Sequence, residues 1–162
     1  MKNSIKKILV LLWAVITVTS LLSCGEAAPS IESPEATTSQ APIQNGEIPA
    51  EGLWKDATYR TDASLGSGAK TIYVEIKVGD SSVTFTLKTD KETVGAALLE
   101  HSLIDGEQGA YGLYVKKVNG ITADYNIDKS YWGFYSNGKY MMTGVDQTEI
   151  TNGMHYELVY EK

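Results

Sequence analysis

An Asn-Gly pair inside a dense aromatic stretch constrains the fold of this sequence more than any other feature. Residues 131–145 hold five aromatic residues and two methionines around Asn137-Gly138. Asn-Gly flanked by alternating residues is a strong hairpin signal, because a type I′ turn needs positive φ at both central residues. The stretch therefore predicts one strand over Tyr131–Tyr135 and a returning strand over Tyr140–Met142.

Both faces of the first predicted strand carry aromatic side chains. Alternation sends Trp132 and Phe134 to one face. Tyr131, Gly133 and Tyr135 point to the other. Such a strand can pack a core with one face and present a flat apolar surface with the other. Burial of both faces is the alternative, and for any single aromatic residue it is the simpler interpretation.

The segments before this hairpin predict two strands and a helix. Thr71–Val78 and Val83–Lys88 alternate apolar and polar residues across a Gly-Asp-Ser-Ser turn, which predicts a hairpin with one apolar face. Thr93–Leu103 changes to helical spacing, with Thr93 as the N-cap and Asp105-Gly106 as the end. The stretch Ser64–Gly68 is predicted to be a loop.

Two more strands complete the predicted domain. Leu113–Val118 closes at Asn119-Gly120, a polar loop spans Thr122–Lys129, and Met154–Tyr160 forms the last strand. A single helix cannot cover a parallel, doubly wound sheet. The pattern therefore predicts an α+β, β-grasp-like fold, with one helix packed on a mostly antiparallel or mixed sheet of five to six strands.

Residues 1–24 have the composition of an export signal. Three lysines precede a largely apolar run of 15 residues, shorter than the about 20 that a spanning helix needs. The run ends in Leu-Leu-Ser-Cys-Gly at residues 21–25, which resembles the lipobox of bacterial lipoproteins. The resemblance implies a diacylglyceryl group on Cys24 and anchoring to the outer face of the cytoplasmic membrane. An ordinary signal peptide or an uncleaved anchor is the alternative.

Residues 25–52 differ in composition from everything after them. They are rich in Pro, Ser, Thr and Glu and contain all four prolines of the chain. Such a segment has too little apolar surface to offset the entropy of ordering. It predicts a flexible tether that leads to a domain over residues 53–162, with its core at 71–162.

Charge and residue counts exclude several classes of function. A chain that begins at Cys24 has 11 basic and 20 acidic residues, a net charge of −9, which opposes binding to nucleic acid. One cysteine excludes a disulfide framework, and two histidines leave little for metal ligation. The sequence has no nucleophile elbow, phosphate-binding loop or EF-hand spacing. It predicts a protein that is not an enzyme.

Four separated segments together resemble one family. They are Leu113–Ile121, Tyr131-Trp132, Gly144-Val145-Asp146 and an Asn-Gly pair before the last strand. In combination they are similar to the C-terminal domain of transcobalamin and intrinsic factor, and to a related bacterial family of domains of unknown function. The similarity covers about residues 71–162.

This resemblance implies a ligand. In the vertebrate carriers the domain closes one side of a cobalamin site, and an α-helical barrel closes the other. Trp132, Met141 and Met142 fall at the ligand-facing positions, whereas Gly133 stands where the carriers tend to have glutamine. The chain has no room for the barrel, so a corrinoid would meet half a site, and the rest must come from a second protein or be absent. The candidate ligand-binding residues are Trp132, Phe134, Tyr131, Tyr135, Tyr140, Met141, Met142 and Tyr111.

Two functions of different classes remain open from the sequence. The first is a membrane-tethered module that binds a small molecule, with a corrinoid as the leading candidate. The second is a protein-interaction or surface-adhesion module without a small ligand. A concave aromatic patch would favour the first, and a long uncovered strand edge with buried aromatic residues would favour the second.

Overall fold

The computed structural model describes residues 46–162. The predicted export signal, the lipid on Cys24 and residues 25–45 of the tether lie outside the described residues. Between Gly46 and Lys162, no helix is both long enough and apolar enough to cross a bilayer.

The described residues fold into two sheets, two helices and a 3₁₀ turn at Gly52–Asp56. The strands are β1 Ala63–Gly66, β2 Lys70–Val78, β3 Ser81–Thr89, β4 Ile104–Gly109, β5 Gly112–Val118, β6 Ile121–Thr122, β7 Tyr131–Ser136, β8 Lys139–Tyr140 and β9 His155–Glu161. The helices are α1 Val94–Glu100 and α2 Tyr125–Asp128. The larger sheet has the order β1-β3-β2-β9-β7-β8, and the smaller has the order β4-β5-β6.

The six-stranded sheet is mixed. The last strand, β9, inserts between β2 and β7 and runs parallel to β2, with Val74 opposite Tyr156 and Ile76 opposite Leu158. β1 is parallel to β3, and the remaining neighbours are antiparallel. One main helix with a six-stranded mixed sheet confirms the predicted α+β class.

The core follows the predicted alternation. Ile72, Val74 and Ile76 of β2 are completely buried, as are their counterparts on β3. Burying each such side chain stabilises the folded state by about 1.5–3 kcal/mol. Helix α1 buries its apolar stripe in the same core, and its Thr93 Oγ1 accepts a hydrogen bond from Ala96 N–H at 3.3 Å, as the N-cap prediction requires.

Three segments differ from their predictions. Asp105-Gly106, predicted as a helix end, lies inside β4, which pairs with β5 through a register shift. Ser64–Gly68, predicted as a loop, contains most of β1, and the predicted loop Thr122–Lys129 contains α2. The sequences of β1 and β4 have few β-branched or aromatic residues, so their partner strands impose the extended conformation.

Ordered contacts of the domain begin before Leu53. Ile48 is 5% exposed within the core, and its N–H donates to Arg60 O at 2.8 Å. Glu47 forms an ion pair with the guanidinium of Arg60. Glu47 and Ile48, which composition assigned to the tether, therefore contact the domain.

Candidate functional site

The aromatic hairpin forms around the predicted turn. Asn137 has φ 48° and Gly138 φ 74°, and Tyr135 pairs with Tyr140 across the turn. β8 ends at Tyr140, two residues before the predicted end. Met141 N–H still donates to a β7 carbonyl, that of Phe134, at 2.9 Å. From there, residues 141–148 leave the sheet as a loop, here called the wall loop.

The Trp132 face of β7 points toward the core. Trp132 and Phe134 are each 8% exposed. Trp132 makes an edge-on contact with Tyr160 of β9, with ring centroids 5.5 Å apart, and Phe134 stacks on Tyr156 at 5.8 Å. The central aromatic residue of the predicted ligand site is thus also a core residue.

On the opposite face of β7, one carboxylate accepts hydrogen bonds from two tyrosine hydroxyl groups. Tyr131 Oη and Tyr135 Oη each donate a hydrogen bond of 2.5 Å to Glu161, one to each carboxylate oxygen. A Cβ at Gly133 would lie 2.5 Å from Glu161 Oε1, so the glycine makes room for the carboxylate. The hydrogen bonds to Glu161 raise the pKa of Tyr131, and they raise the pKa of Tyr135 to about 12. We call this arrangement the Glu161 clasp.

A second carboxylate holds the hairpin turn to the sheet. Glu157 of β9 is 6% exposed and accepts from Gly138 N–H at 2.6 Å and from Lys77 Nζ at 2.6 Å. Burial alone would raise the pKa of Glu157, but the hydrogen bonds from Lys77 and Gly138 lower it below its usual value. The turn is therefore fixed by charge as well as by its backbone.

A cavity of about 260 Å³ lies between β5, β7 and the wall loop. Its lining includes six of the eight predicted ligand-binding residues: Tyr131, Trp132, Phe134, Tyr140, Met141 and Met142. Tyr135 and Tyr111 are not part of it; Tyr135 turns to the Glu161 clasp, and Tyr111 is 95% exposed at the tip of the β4–β5 hairpin.

Sequence reasoning missed the other side of the cavity. Those lining residues are Leu113, Tyr114, Val115, Thr143, Gly144, Val145 and Leu158. The segments Leu113–Ile121 and Gly144-Val145-Asp146 carried the family resemblance, which was the available signal that they meet near the hairpin. No lining residue is charged. Three large side chains of the lining are exposed and form the rim: Tyr114, 47% exposed; Tyr140, 58%; and Met142, 91%.

Helix α1 and the β4–β5 hairpin hold the wall loop in place. Gly95 N–H donates to Val145 O at 2.7 Å. A Cβ on Gly95 would lie 2.8 Å from Asp146 Cα, so the helix can approach this closely only with glycine. From the other side, Asp146 Oδ2 accepts from Leu113 N–H at 3.0 Å. The loop is therefore a rigid wall of the cavity.

The described residues offer little for metal chemistry. Within 46–162, no three or more His, Cys, Asp or Glu side chains are grouped so that they could hold a metal ion. Asp124 caps α2 by accepting from Asn126 N–H at 2.9 Å, and Asp128 accepts from Ser130 Oγ at 2.5 Å. Hydrogen bonds from the hydroxyl group and the backbone N–H of Ser130 lower the pKa of Asp128 to about 2.

Comparison with known proteins identifies a family for part of the chain. Residues 91–162, from just before α1 to the end of β9, match the family described as a domain of unknown function (DUF4430). No curated protein matches the chain.

Two solved structures are similar to this chain. One, from Ruminococcus gnavus ATCC 29149 and described as a "putative metal binding protein", is 33% identical with a TM-score of 0.55. That match covers 58% of this chain and 98% of that one. Haptocorrin in complex with Cbi is 19% identical with a TM-score of 0.45, over 57% of this chain and 25% of that one. The second likeness is too distant to bear on function.

The family match confirms the predicted relation to domains of unknown function. The predicted lipobox and the corrinoid site stay predictions. Through residues 91–162, the chain belongs to the DUF4430 family.

Proposed function

We propose that this protein is a lipoprotein, tethered through Cys24 to the outer face of the cytoplasmic membrane, that binds a small molecule at its aromatic hairpin. A corrinoid is the leading candidate ligand. The observation that carries the proposal is the uncharged cavity of about 260 Å³. Its lining includes Trp132, Met141 and Met142, the residues that the transcobalamin-like resemblance assigns to the ligand side.

The size of the cavity defines how such a ligand binds. Pockets that enclose a drug-sized molecule measure about 300–1,000 Å³, so this cavity is too small to surround a corrin ring. It can accept one apolar edge, while the rest of the ring lies across the exposed rim of Tyr114, Tyr140 and Met142. Much of the ligand then stays in water, so the affinity is modest unless a second protein covers it.

The chemistry of the lining suits this half-site. Aromatic rings and thioethers make favourable contacts with a broad apolar ring edge. The hydroxyl groups of Tyr114, Tyr140 and Thr143 can donate to or accept from peripheral amides. Tyr131, held by the Glu161 clasp, contributes a ring whose orientation is fixed before the ligand arrives.

Calorimetric titration of the full chain in detergent, with cobalamin and with cobinamide, tests the proposal. Two exposed tyrosines provide a matched pair of variants. Tyr140→Ala removes a rim ring and should weaken binding about tenfold, because a lost apolar contact of this size is worth at least about 1.4 kcal/mol. Tyr111→Ala removes a ring outside the cavity and should leave binding unchanged. No heat with either corrinoid would exclude that ligand class.

The second candidate function, a protein-interaction module, is favoured by a different region. β4 has a neighbouring strand on one side only, and Tyr111 extends from the tip of its hairpin. An open strand edge can pair with a partner strand. Asp105, Glu107 and the register shift work against such pairing. A membrane protein that co-purifies with the chain, and is lost in Tyr111→Ala but not in Tyr140→Ala, would favour this function.

A further inference from the structure

Met142 is held at the mouth of the cavity and is open to solvent. It is 91% exposed, although it contributes to the lining. The residues on both sides of it are anchored. Met141 N–H donates to Phe134 O at 2.9 Å, and Thr143 Oγ1 lies 3.0 Å from the hydroxyl oxygen of Thr148. The thioether therefore stays at the rim and remains accessible.

The other methionines in the described part of the chain are less accessible. Met141 is half-buried and packs against the core. Met154 is also half-buried, and its sulfur accepts a hydrogen bond from Asn137 Nδ2 at 3.1 Å. Oxidation of a thioether requires approach of the oxidant to the sulfur, so exposure separates these three residues.

We propose that Met142 is a site of oxidative modification that switches off ligand capture at the cavity; this inference rests on the proposed function. The co-reactant is a peroxide. Hydrogen peroxide transfers one oxygen atom to the Met142 sulfur: an S–O bond forms, the O–O bond breaks and water leaves. The sulfur is oxidised by two electrons and the peroxide is reduced.

Oxidation makes the rim of the cavity more polar, which disfavours the binding of an apolar ligand edge. Methionine sulfoxide is polar and carries a strong acceptor oxygen, whereas the lining is uncharged and more apolar than polar. An apolar ligand edge then loses the thioether contact and must also displace water from the sulfoxide. Removing one such contact should weaken binding about tenfold.

The test uses the full chain in detergent, treated with limiting hydrogen peroxide and digested for mass spectrometry. Binding is measured before and after treatment with two probes, cobalamin and the neutral fluorophore N-phenyl-1-naphthylamine, each read against the same detergent without protein because the fluorophore also enters micelles. We expect sulfoxide at Met142 well before Met141 or Met154, and a loss of about tenfold in affinity for the probe that binds. Met142→Leu, which keeps an apolar rim without sulfur, should have the same affinity before and after peroxide treatment, whatever its starting affinity. Met141→Leu should remain sensitive.

Each outcome supports or overturns a distinct statement. Equal oxidation of all three methionines, or unchanged affinity of the protein oxidised at Met142, overturns the inference and leaves the proposed function intact. Untreated protein that binds neither probe overturns the proposed function and the switch with it. Binding of the fluorophore but not of cobalamin overturns the corrinoid alone.

Discussion

The two faces of β7 carry aromatic residues in the same alternating pattern, yet they are used differently. Trp132 and Phe134 pack into the core and line the cavity. Tyr131 and Tyr135 donate to Glu161 on the opposite side of the strand, although the Tyr131 ring also contributes to the lining of the cavity. The difference shows that aromatic density alone does not identify a binding face, because phenol hydroxyls can donate to a neighbouring carboxylate, whereas the Trp132 and Phe134 rings pack against other rings.

Replacing Trp132 by Ala should produce the largest effect on the core face. The ring is 8% exposed and contacts Tyr160, so its loss leaves a cavity in the core. We expect a decrease of about 3–5 kcal/mol in the free energy of unfolding, measured by urea denaturation. A loss below about 1 kcal/mol would show that Trp132 belongs to an adaptable binding surface rather than to the core.

Replacing Gly133 by Ala tests the space that the Glu161 clasp requires. The new Cβ would lie 2.5 Å from Glu161 Oε1 and 2.9 Å from Tyr135 Cε2, so the carboxylate must move. We expect the free energy of unfolding to decrease by about 1–3 kcal/mol. In a protein that also carries Glu161→Ala, the same change should lower the free energy of unfolding by clearly less. Equal costs in both backgrounds would mean that the clasp is not what demands glycine.

High pH should weaken the Glu161 clasp but not the packing of Trp132 and Phe134. The hydrogen bond to Glu161 raises the pKa of Tyr135 to about 12, above its usual value of about 10. Because the pKa is raised in the folded state, this stabilisation is present below the pKa of the unfolded chain and is lost as pH rises through about 12.

Tyrosinate absorbance during alkaline titration measures this pKa. Tyr135→Phe should remove the phenol whose pKa is about 12 and leave Tyr131, whose pKa Glu161 also raises, whereas Glu161→Gln should lower the pKa of both. Persistence of a late phenol in both variants would assign the titration to another tyrosine.

Met142→Ala should have the smallest effect on stability. The side chain is 91% exposed, so the free energy of unfolding should change by at most about 0.5 kcal/mol. Thermal melting, with Trp132→Ala as the reference, provides the measurement. A larger loss would indicate that the rim packs more tightly than its exposure suggests, and that core and rim are not separate regions.

Local signals were sufficient for much of the fold. The alternation of β2 and β3, the capped helix α1 and the turn at Asn137-Gly138 depend on neighbours in sequence, and each forms where predicted. β4 could not be predicted in the same way. Its Gly, Asp, Glu and Gln residues have little intrinsic preference for a strand, and its pairing with β5 imposes the structure.

The candidate site, like the fold, could be predicted only in part from local sequence patterns. The residue pattern alone predicts that an aromatic and methionine-rich hairpin exists and which residues share each face, because a strand has a period of two. Which face is buried depends on long-range contacts, namely the insertion of β9 beside β7 and the position of Glu161. The cavity likewise exists because Gly95 lets α1 approach Asp146 and because Leu113 bonds to that carboxylate. These contacts join residues far apart in the chain, where no local pattern records them.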